Sequence, residues 1–139
     1  MCGIAGLIYN KDRNIDPTVL KKMTSRIIHR GPDDEGFLVD NHVGLGFRRL
    51  SIIDLSTGHQ PLANQDESIW IVFNGEIYNY QEQREFLLKK GYQFRTATDT
   101  EVILHLYEEF GVDCLQYLQG MFGFAIWEAT RLRFPVHSK

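Results

Sequence analysis

The chain has few cysteines and no long apolar run, and each absence excludes a class of protein. Only two of its 139 residues are cysteine, too few for a disulfide-stapled secreted domain, so a reducing, cytoplasmic compartment is expected. Apolar runs such as "IWIVF" are much shorter than the about 20 residues that a membrane-spanning helix needs. The N-terminus also lacks the charged and apolar regions of a signal peptide. A membrane protein is therefore not expected.

Charge and histidine spacing exclude two further classes. The net charge is −3, and the basic residues are scattered as short pairs, which does not favour a nucleic-acid partner. The five histidines lack metal-ligand spacing, so no metal site is predicted. What remains is one ordinary globular domain, because 43% apolar residues at this length can form a sizeable core.

The apolar pattern predicts a mixed α+β domain. Helices are predicted at residues 16–31, beyond "NGEIYN" as far as Gly91, and at residues 98–111, with one or two further helical turns in "VDCLQYLQG". The short β-rich runs predicted as strands are "CGIAGLIY", "GFLVD", "VGLGFRRLSIID", "SIWIVF", "YQFRT" and "MFGFAIWE". Cys114 is assigned to the core, and "RGPDDEG" is predicted to be a turn-rich loop. Mostly antiparallel strands among helices favour a layered α+β fold.

Three positions carry helix-start signals. Asp16 precedes Pro17, a residue suited to the first helical position. Asn79 with Glu82, and Thr98 with Glu101, have the spacing of a capping box. Each of the three helices is therefore predicted to begin with a side-chain cap.

Cys2 is the first candidate for chemistry. Removal of Met1 is expected because the second residue is small, and it leaves a thiol and a free α-amine on one residue. Such an amine titrates near ~7.7–8.0, so a share of it is neutral and can accept the thiol proton. Gly3 is expected to give this terminus room to turn. A cysteine in an apolar run is also typical of a buried hydrophobic residue, and the residues alone leave both interpretations open.

The "FNGEIYN" stretch offers donors for an oxyanion. The Asn74 side-chain amide and the Gly75 backbone N–H together have the chemistry of an oxyanion hole. An Asn-Gly pair is equally typical of a two-residue hairpin turn. The helical pattern after Gly75 weakens the turn interpretation without excluding it.

Three charged residues are candidates for binding an amino acid. A fixed cation suits an α-carboxylate and acidic groups suit an α-ammonium, and Arg49, Glu76 and Asp99 can supply them. Each also has a plain structural interpretation: a solvated strand residue, a loop carboxylate and a favourable charge in the first turn of a helix.

Six sequence blocks together resemble the glutamine amidotransferase domain of the asparagine synthetase family, a class II, N-terminal-nucleophile amidohydrolase. In chain order they are "MCGIAG", "HRGPDDEG", "RRLSIIDLSTGHQP", "FNGEIYNY", "TDTEVILHLYEEFG" and "LQGMFGFAIWE". Two stretches, "RLSIIDLSTGHQP" and "NGEIYN", resemble asparagine synthetases more than the related amidotransferases that make amino sugars, purine precursors or glutamate.

The resemblance implies roles for the matching residues. Cys2 matches the nucleophile, with its own α-amine as base, and Asn74 with Gly75 matches the oxyanion hole. Arg49 matches the ligand of the glutamine α-carboxylate, and two carboxylates match the groups that hold the α-ammonium. The positions that match glutamine-binding residues are Arg49, Leu50, Ser51, Ile52, Ile53, Asn74, Gly75, Glu76 and Asp99.

The resemblance also implies a fold and partners. The fold is the four-layer αββα sandwich of N-terminal-nucleophile (Ntn) hydrolases, with two antiparallel sheets between helices. The implied substrate is L-glutamine, and its hydrolysis needs no metal or cofactor. In the family, ATP and Mg act in a fused synthetase domain that amidates aspartate, and a homo-oligomer is compatible with the resemblance.

The family pattern stops near Trp127 and Glu128. Residues 1–128 are therefore predicted to be an incomplete amidotransferase domain and residues 129–139 a divergent tail, with the last strands and the synthetase domain missing. Phe122, Phe124 and Ile126 are then expected to be exposed. Two alternatives to a working glutaminase stay open: an inactive fragment, and a domain that binds glutamine without turnover.

Overall fold

A computed structural model of the chain describes residues 2–50 and 58–129. It contains two three-stranded antiparallel sheets, with strand orders β1-β3-β2 and β4-β5-β6. The strands are β1 (Gly3–Ile8), β2 (Asp34–Asp40), β3 (Val43–Arg49), β4 (Leu62–Ala63), β5 (Ile69–Ile77) and β6 (Gly120–Glu128). The α-helices are α1 (Pro17–Arg26), α2 (Tyr80–Lys89) and α3 (Asp99–Phe110). The predicted α+β class with antiparallel sheets is confirmed.

The elements form four layers. Helix α1 packs on β1 and β3, the first sheet contacts β5 of the second, and α3 packs on the far side of that second sheet with α2 beside it. One apolar cluster, around Ile71, Leu87 and Leu104, fills the space between the second sheet and the helices. A smaller cluster around Phe47 and Val72 lies between the sheets and includes the Cys2 side chain.

The alternation of side chains along β3 determines what faces the space between the sheets. Gly44 and Gly46 face α1, and any side chain at Gly46 would overlap Thr24 of that helix. Leu45 and Phe47 point the other way, into the cluster between the sheets. Since successive strand residues face opposite sides, Arg49 continues the face of Phe47 and ends up at the margin of the inter-sheet core.

The first helix begins as predicted and ends early. The Asp16 carboxylate accepts a hydrogen bond from the Thr18 N–H at 2.8 Å, which confirms the cap. Helix α1 stops at Arg26 and a separate 3₁₀ turn spans Ile28–Arg30, so the predicted extension to residue 31 is wrong.

The predicted "RGPDDEG" loop is wrong in its second half, because β2 begins at Asp34. In this strand Asp34 lies opposite Arg49 and Glu35 opposite Arg48. The Glu35 carboxylate also pairs with the Arg48 guanidinium at 2.7 Å. These cross-strand partners are distant in sequence and favour the extended conformation of an otherwise turn-forming stretch.

The two predicted capping boxes have different outcomes. Thr98 Oγ1 accepts from the Glu101 N–H at 3.4 Å, as predicted. Asn79 occupies the N-cap position of α2 but makes no cap hydrogen bond. Its side chain donates to the Tyr117 carbonyl and accepts from the Gln119 N–H instead, so this amide fastens α2 to the segment that leads into β6.

The predicted strand at "YQFRT" is absent, and the reason is a buried carboxylate. Glu101 is 1% exposed and accepts hydrogen bonds from the backbone N–H groups of Arg95 and Thr96 at 2.8 and 2.6 Å. These N–H groups are therefore unavailable to a neighbouring strand. The Tyr92 and Phe94 rings meanwhile pack against the His105 ring, which turns their apolar surface toward α3.

His105 lies between two carboxylates of its own helix. Its Nδ1 is 2.6 Å from Glu108 Oε2, and its Nε2 is 3.6 Å from Glu101 Oε1. Burial alone would lower the pKa of His105, but the pairing with Glu101 and Glu108 raises it to about 9. Burial likewise works against the charge on Glu101, yet its ion pair with His105 and its hydrogen bonds from Arg95 and Thr96 lower its pKa to about 2.

The C-terminal part of the described chain confirms three predictions and corrects one. Residues 111–117 form a 3₁₀ helix with Cys114 buried at 1% exposure, and β6 follows. Phe122, Phe124 and Ile126 are half-buried, because they pack against the cluster beneath α3, so their predicted exposure is wrong. Within the described residues no helix is long and apolar enough to cross a membrane.

Candidate active site

A cavity of about 510 Å³ opens at the margin of the inter-sheet core. Every predicted site residue that the structure describes lines it: Cys2, Arg49, Leu50, Asn74, Gly75, Glu76 and Asp99. Ser51, Ile52 and Ile53 lie outside the described residues, as does Met1. Residues from both sheets and from α3 therefore meet at one place, and the volume suits a small ligand.

Cys2 is held by three contacts. Its Sγ accepts a hydrogen bond from the Leu50 N–H at 3.5 Å, and its carbonyl accepts from Arg30 Nε at 3.2 Å. The side chain itself joins the inter-sheet cluster.

Gly3 faces the end of α1, and its predicted role in giving the terminus room to turn stays a prediction. A Cβ at this position would lie 2.9 Å from Ile27 Cδ1, because the residue faces the end of α1. The absence of a side chain therefore lets the helix approach β1.

Asn74 and Gly75 lie inside β5 and not in a hairpin turn. They pair in register with Gly123 and Phe122 of β6, so the turn interpretation is wrong. Gly75 has φ +150°, and a Cβ there would overlap the Met121 carbonyl and lie 2.5 Å from Phe122 Cα. Glycine is required at this position by both conformation and space. Asn74 shares the face of Val72, so its side chain is on the cavity side of the strand.

Asp99 is the first residue of α3 and lines one wall of the cavity. Its Oδ2 accepts a hydrogen bond from the Ile77 N–H at 3.2 Å, just beyond Glu76 on β5. Burial raises the pKa of Asp99, the hydrogen bonds from Ile77 and Thr100 partly offset this effect, and the Glu76 charge raises it further. Two carboxyl groups thus share one wall, an arrangement that a bound ammonium group would stabilise.

Arg49 supplies a cation close to this acidic wall. Gly58, at φ +92°, brings its backbone against both Arg49 and Thr98: a Cβ there would lie 3.3 Å from Arg49 Nη2 and 3.5 Å from Thr98 Cγ2. Thr98 immediately precedes Asp99. A cation and carboxylates set this close match the zwitterionic end of an α-amino acid.

Seven further residues that the sequence interpretation did not assign to the site also line the cavity: Phe47, Gly58, Gln60, Phe73, Thr98, Thr100 and Met121. Thr98 was recognised only as a helix cap. Gln60 stands in the "STGHQP" stretch, whose polar, Gly and Pro residues are typical of an exposed turn. In the structure, however, Gln60 is only 5% exposed. Among residues 2–50 and 58–129, no group of three or more His, Cys, Asp or Glu side chains could hold a metal ion.

Comparison with known proteins gives consistent relatives. A family model described as glutamine amidotransferase domain matches residues 1–136. Asparagine synthetase [glutamine-hydrolyzing] 1 of Bacillus subtilis is 51% identical over 131 residues, which cover 91% of this chain and 21% of that protein. The Arabidopsis thaliana protein of the same name is 41% identical over 137 residues, covering 98% and 23%. The chain thus spans about a fifth of the length of these curated relatives.

A solved structure confirms the architecture. Glutamine phosphoribosylpyrophosphate amidotransferase from Bacillus subtilis, complexed with ADP and GMP, aligns with a TM-score of 0.71 at 20% identity, over 91% of this chain and 35% of that chain. At this identity the likeness is one of fold. It confirms the predicted four-layer sandwich of the Ntn hydrolases.

Proposed function

Because the chain belongs to the glutamine amidotransferase domain family, with asparagine synthetases among its relatives, we propose that it hydrolyses the side-chain amide of L-glutamine to glutamate and ammonia. The observation that carries the proposal is the shared cavity. A thiol, a strand with an Asn-Gly pair, a cation and two carboxylates come from distant parts of the chain and line the same 510 Å³.

The zwitterion of glutamine fits the charges of the cavity. Arg49 binds the α-carboxylate, while Glu76 and Asp99 bind the α-ammonium group. The raised pKa of Asp99 supports this role, since a bound cation would stabilise the ionised form that burial disfavours. With that end of the substrate held, the side-chain amide extends toward Cys2.

The reaction then proceeds through a thioester. After Met1 is removed, the α-amine of Cys2 takes the thiol proton and the sulfur attacks the amide carbon. The Asn74 side-chain amide and the Gly75 N–H stabilise the oxyanion that develops. Collapse breaks the C–N bond, the amine returns the proton to the leaving nitrogen, and ammonia departs. Water hydrolyses the γ-glutamyl thioester to glutamate and frees the thiol.

The wider setting is part of the same proposal. The released ammonia would serve the ATP- and Mg-dependent amidation of aspartate to asparagine, by a synthetase part like that of the longer relatives. The glutaminase step itself draws only on protein groups and needs no cofactor. A cytoplasmic location is supported by the two free thiols, Cys2 and Cys114.

Intact mass after exposure to a glutamine-like electrophile tests the proposal. A diazo-ketone analogue of glutamine is expected to add one equivalent to a chain that has lost Met1, and free glutamine is expected to slow the addition. Cys2→Ala should abolish labelling. Cys114→Ala, at the buried second cysteine, is the matched control and should label like the unaltered chain.

Glutamate release completes the test. The unaltered chain and Cys114→Ala are expected to release glutamate from glutamine, and Cys2→Ala is not. A chain that still carries Met1 and stays unlabelled would refute the catalytic proposal. A chain that glutamine protects against thermal unfolding without being consumed would show a binding domain instead.

A further inference from the structure

Gln60 is a buried amide that bridges two walls of the cavity. The residue is 5% exposed. Its Oε1 accepts a hydrogen bond from the Phe73 N–H at 2.6 Å, and its Nε2 donates to Thr100 Oγ1 at 3.3 Å. One side chain therefore touches β5 and the first turn of α3, and it adds a second polar link to the hydrogen bond from the Ile77 N–H to Asp99 Oδ2.

The hydrogen bond from the Phe73 N–H to Gln60 Oε1 takes the place of a backbone hydrogen bond between β4 and β5. Strands β4 and β5 pair Leu62 with Ile71 and Ala63 with Trp70, and continuing this antiparallel register would place residue 60 opposite Phe73. The β4 ladder stops before that point, and the side-chain oxygen of Gln60 takes the N–H that a backbone carbonyl would otherwise receive. Since an unpaired buried N–H is costly, this oxygen sets where β5 lies as it enters the site.

Both partners of Gln60 adjoin residues of the proposed chemistry. Phe73 directly precedes Asn74, and Thr100 directly follows Asp99. The segment that carries Gln60 is itself held in place, because its backbone lies so close to β2 that a Cβ on Gly36 would overlap the Gln60 carbonyl. The first sheet thus positions the amide, and the amide spans the other two walls.

We propose that Gln60 is a positioning residue that fixes the oxyanion strand relative to the acidic wall contributed by α3. This positioning role rests on the proposed glutaminase function. In glutamine, the amide carbon and the α-carbon are separated by two methylene groups, so the donors of β5 and the carboxylate of Asp99 must be held at one spacing. Gln60 holds that spacing and touches no reacting atom.

Two pairs of variants test this role. Thr100→Val keeps the shape of a residue that is 2% exposed and removes only the link to α3. It is expected to raise KM for glutamine about five- to tenfold with a smaller change in kcat, because Asp99 loses its register. Thr100→Ser retains the hydroxyl and should restore KM. Gln60→Met removes both links and should lower kcat as well as raise KM. The side chain in Gln60→Asn is shorter and cannot span both partners, so this variant should behave like Gln60→Met.

A double variant separates positioning from general destabilisation. Because the two side chains share one bond, Thr100→Val is expected to have little further effect on KM in a Gln60→Met background. Independent multiplication of the two effects would overturn the proposal, as would an unchanged KM in Thr100→Val. If the unaltered chain releases no glutamate, the proposed function fails and this role fails with it. If the unaltered chain is active and only the melting temperature of the variants changes, the positioning role alone is refuted.

Discussion

His105 is buried between two carboxylates, and raising the pH is expected to destabilise the fold by removing its proton. The groups that face the imidazole are the carboxylates of Glu101 and Glu108 and the rings of Tyr92 and Phe94. The pKa of Tyr92 is raised to about 12, mainly by burial and by its hydrogen bond to Glu109. Tyr92 therefore stays neutral, and His105 is the group of this cluster that titrates in mildly alkaline solution.

The size of the effect follows from the two pKa values of His105. Folding raises its pKa from 6.5 to about 9, so the folded chain binds the proton more tightly than the unfolded chain. The resulting stabilisation is fully present below pH 6.5 and is lost as the pH rises through 9. At about 1.4 kcal/mol per pKa unit, this loss is on the order of 3 kcal/mol.

Urea unfolding at a series of pH values measures this loss. The free energy of unfolding, followed by tryptophan fluorescence under reducing conditions, should fall by about 3 kcal/mol between pH 6 and pH 10. The matched variant is His105→Gln, which can still donate a hydrogen bond but carries no proton to lose. It should be less stable at pH 6 and lose less stability as the pH rises.

The His105→Gln variant also controls for the ionisation of the buried Cys114 thiol. Burial raises the pKa of Cys114, so its ionisation in the unfolded state destabilises both chains equally at high pH. Equal losses in the unaltered chain and in His105→Gln would refute the role assigned to His105. A free energy of unfolding that stays constant across this pH range would refute the charged, paired state of the imidazole itself.

Three further predictions concern the cavity. Asn74→Ala should lower kcat for glutamate release by about 10²–10³ with a smaller change in KM, and equal losses in both would contradict an oxyanion role. Gly75→Ala should cost about 3 kcal/mol in urea unfolding because its Cβ overlaps the Met121 carbonyl. At Gly91, which has φ +96° and open space, alanine should cost only about 1 kcal/mol. Since burial raises the pKa of Asp99, KM for glutamine should rise on acidification at pH values above the range of an ordinary aspartate. A KM that stays constant there in the unaltered chain would refute Asp99 as the ammonium ligand.

Local signals predicted the parts of the fold that depend on neighbours in sequence. The caps at Asp16 and Thr98 needed only the residues two or three positions away. The β5 and β6 strands were predictable from runs of β-rich residues. The residues alone left Cys2 and Asn74 open between a functional and a structural role, and only the resemblance of six sequence blocks to a known family assigned them to the site.

Side-chain partners that the local sequence pattern does not identify account for what could not be predicted. The "YQFRT" stretch has the composition of a strand, but its backbone N–H groups bind the carboxylate of Glu101. Asn79 has capping-box spacing, yet its amide bonds residues about 40 positions away. Gln60 looked like part of a turn because Phe73 and Thr100 become its partners only after the two layers have packed.

The cavity joins side chains from the first, middle and later parts of the chain, and this has a consequence for folding. Cys2 and Asp99 belong to different layers, and neither sheet alone contains a complete set of site residues. Helices such as α3 can form early from local contacts, whereas contacts between residues this far apart form slowly. Recovery of glutamate release during refolding should therefore lag behind the recovery of helical circular dichroism. Under the proposed function, glutamate release would report the docking of the layers.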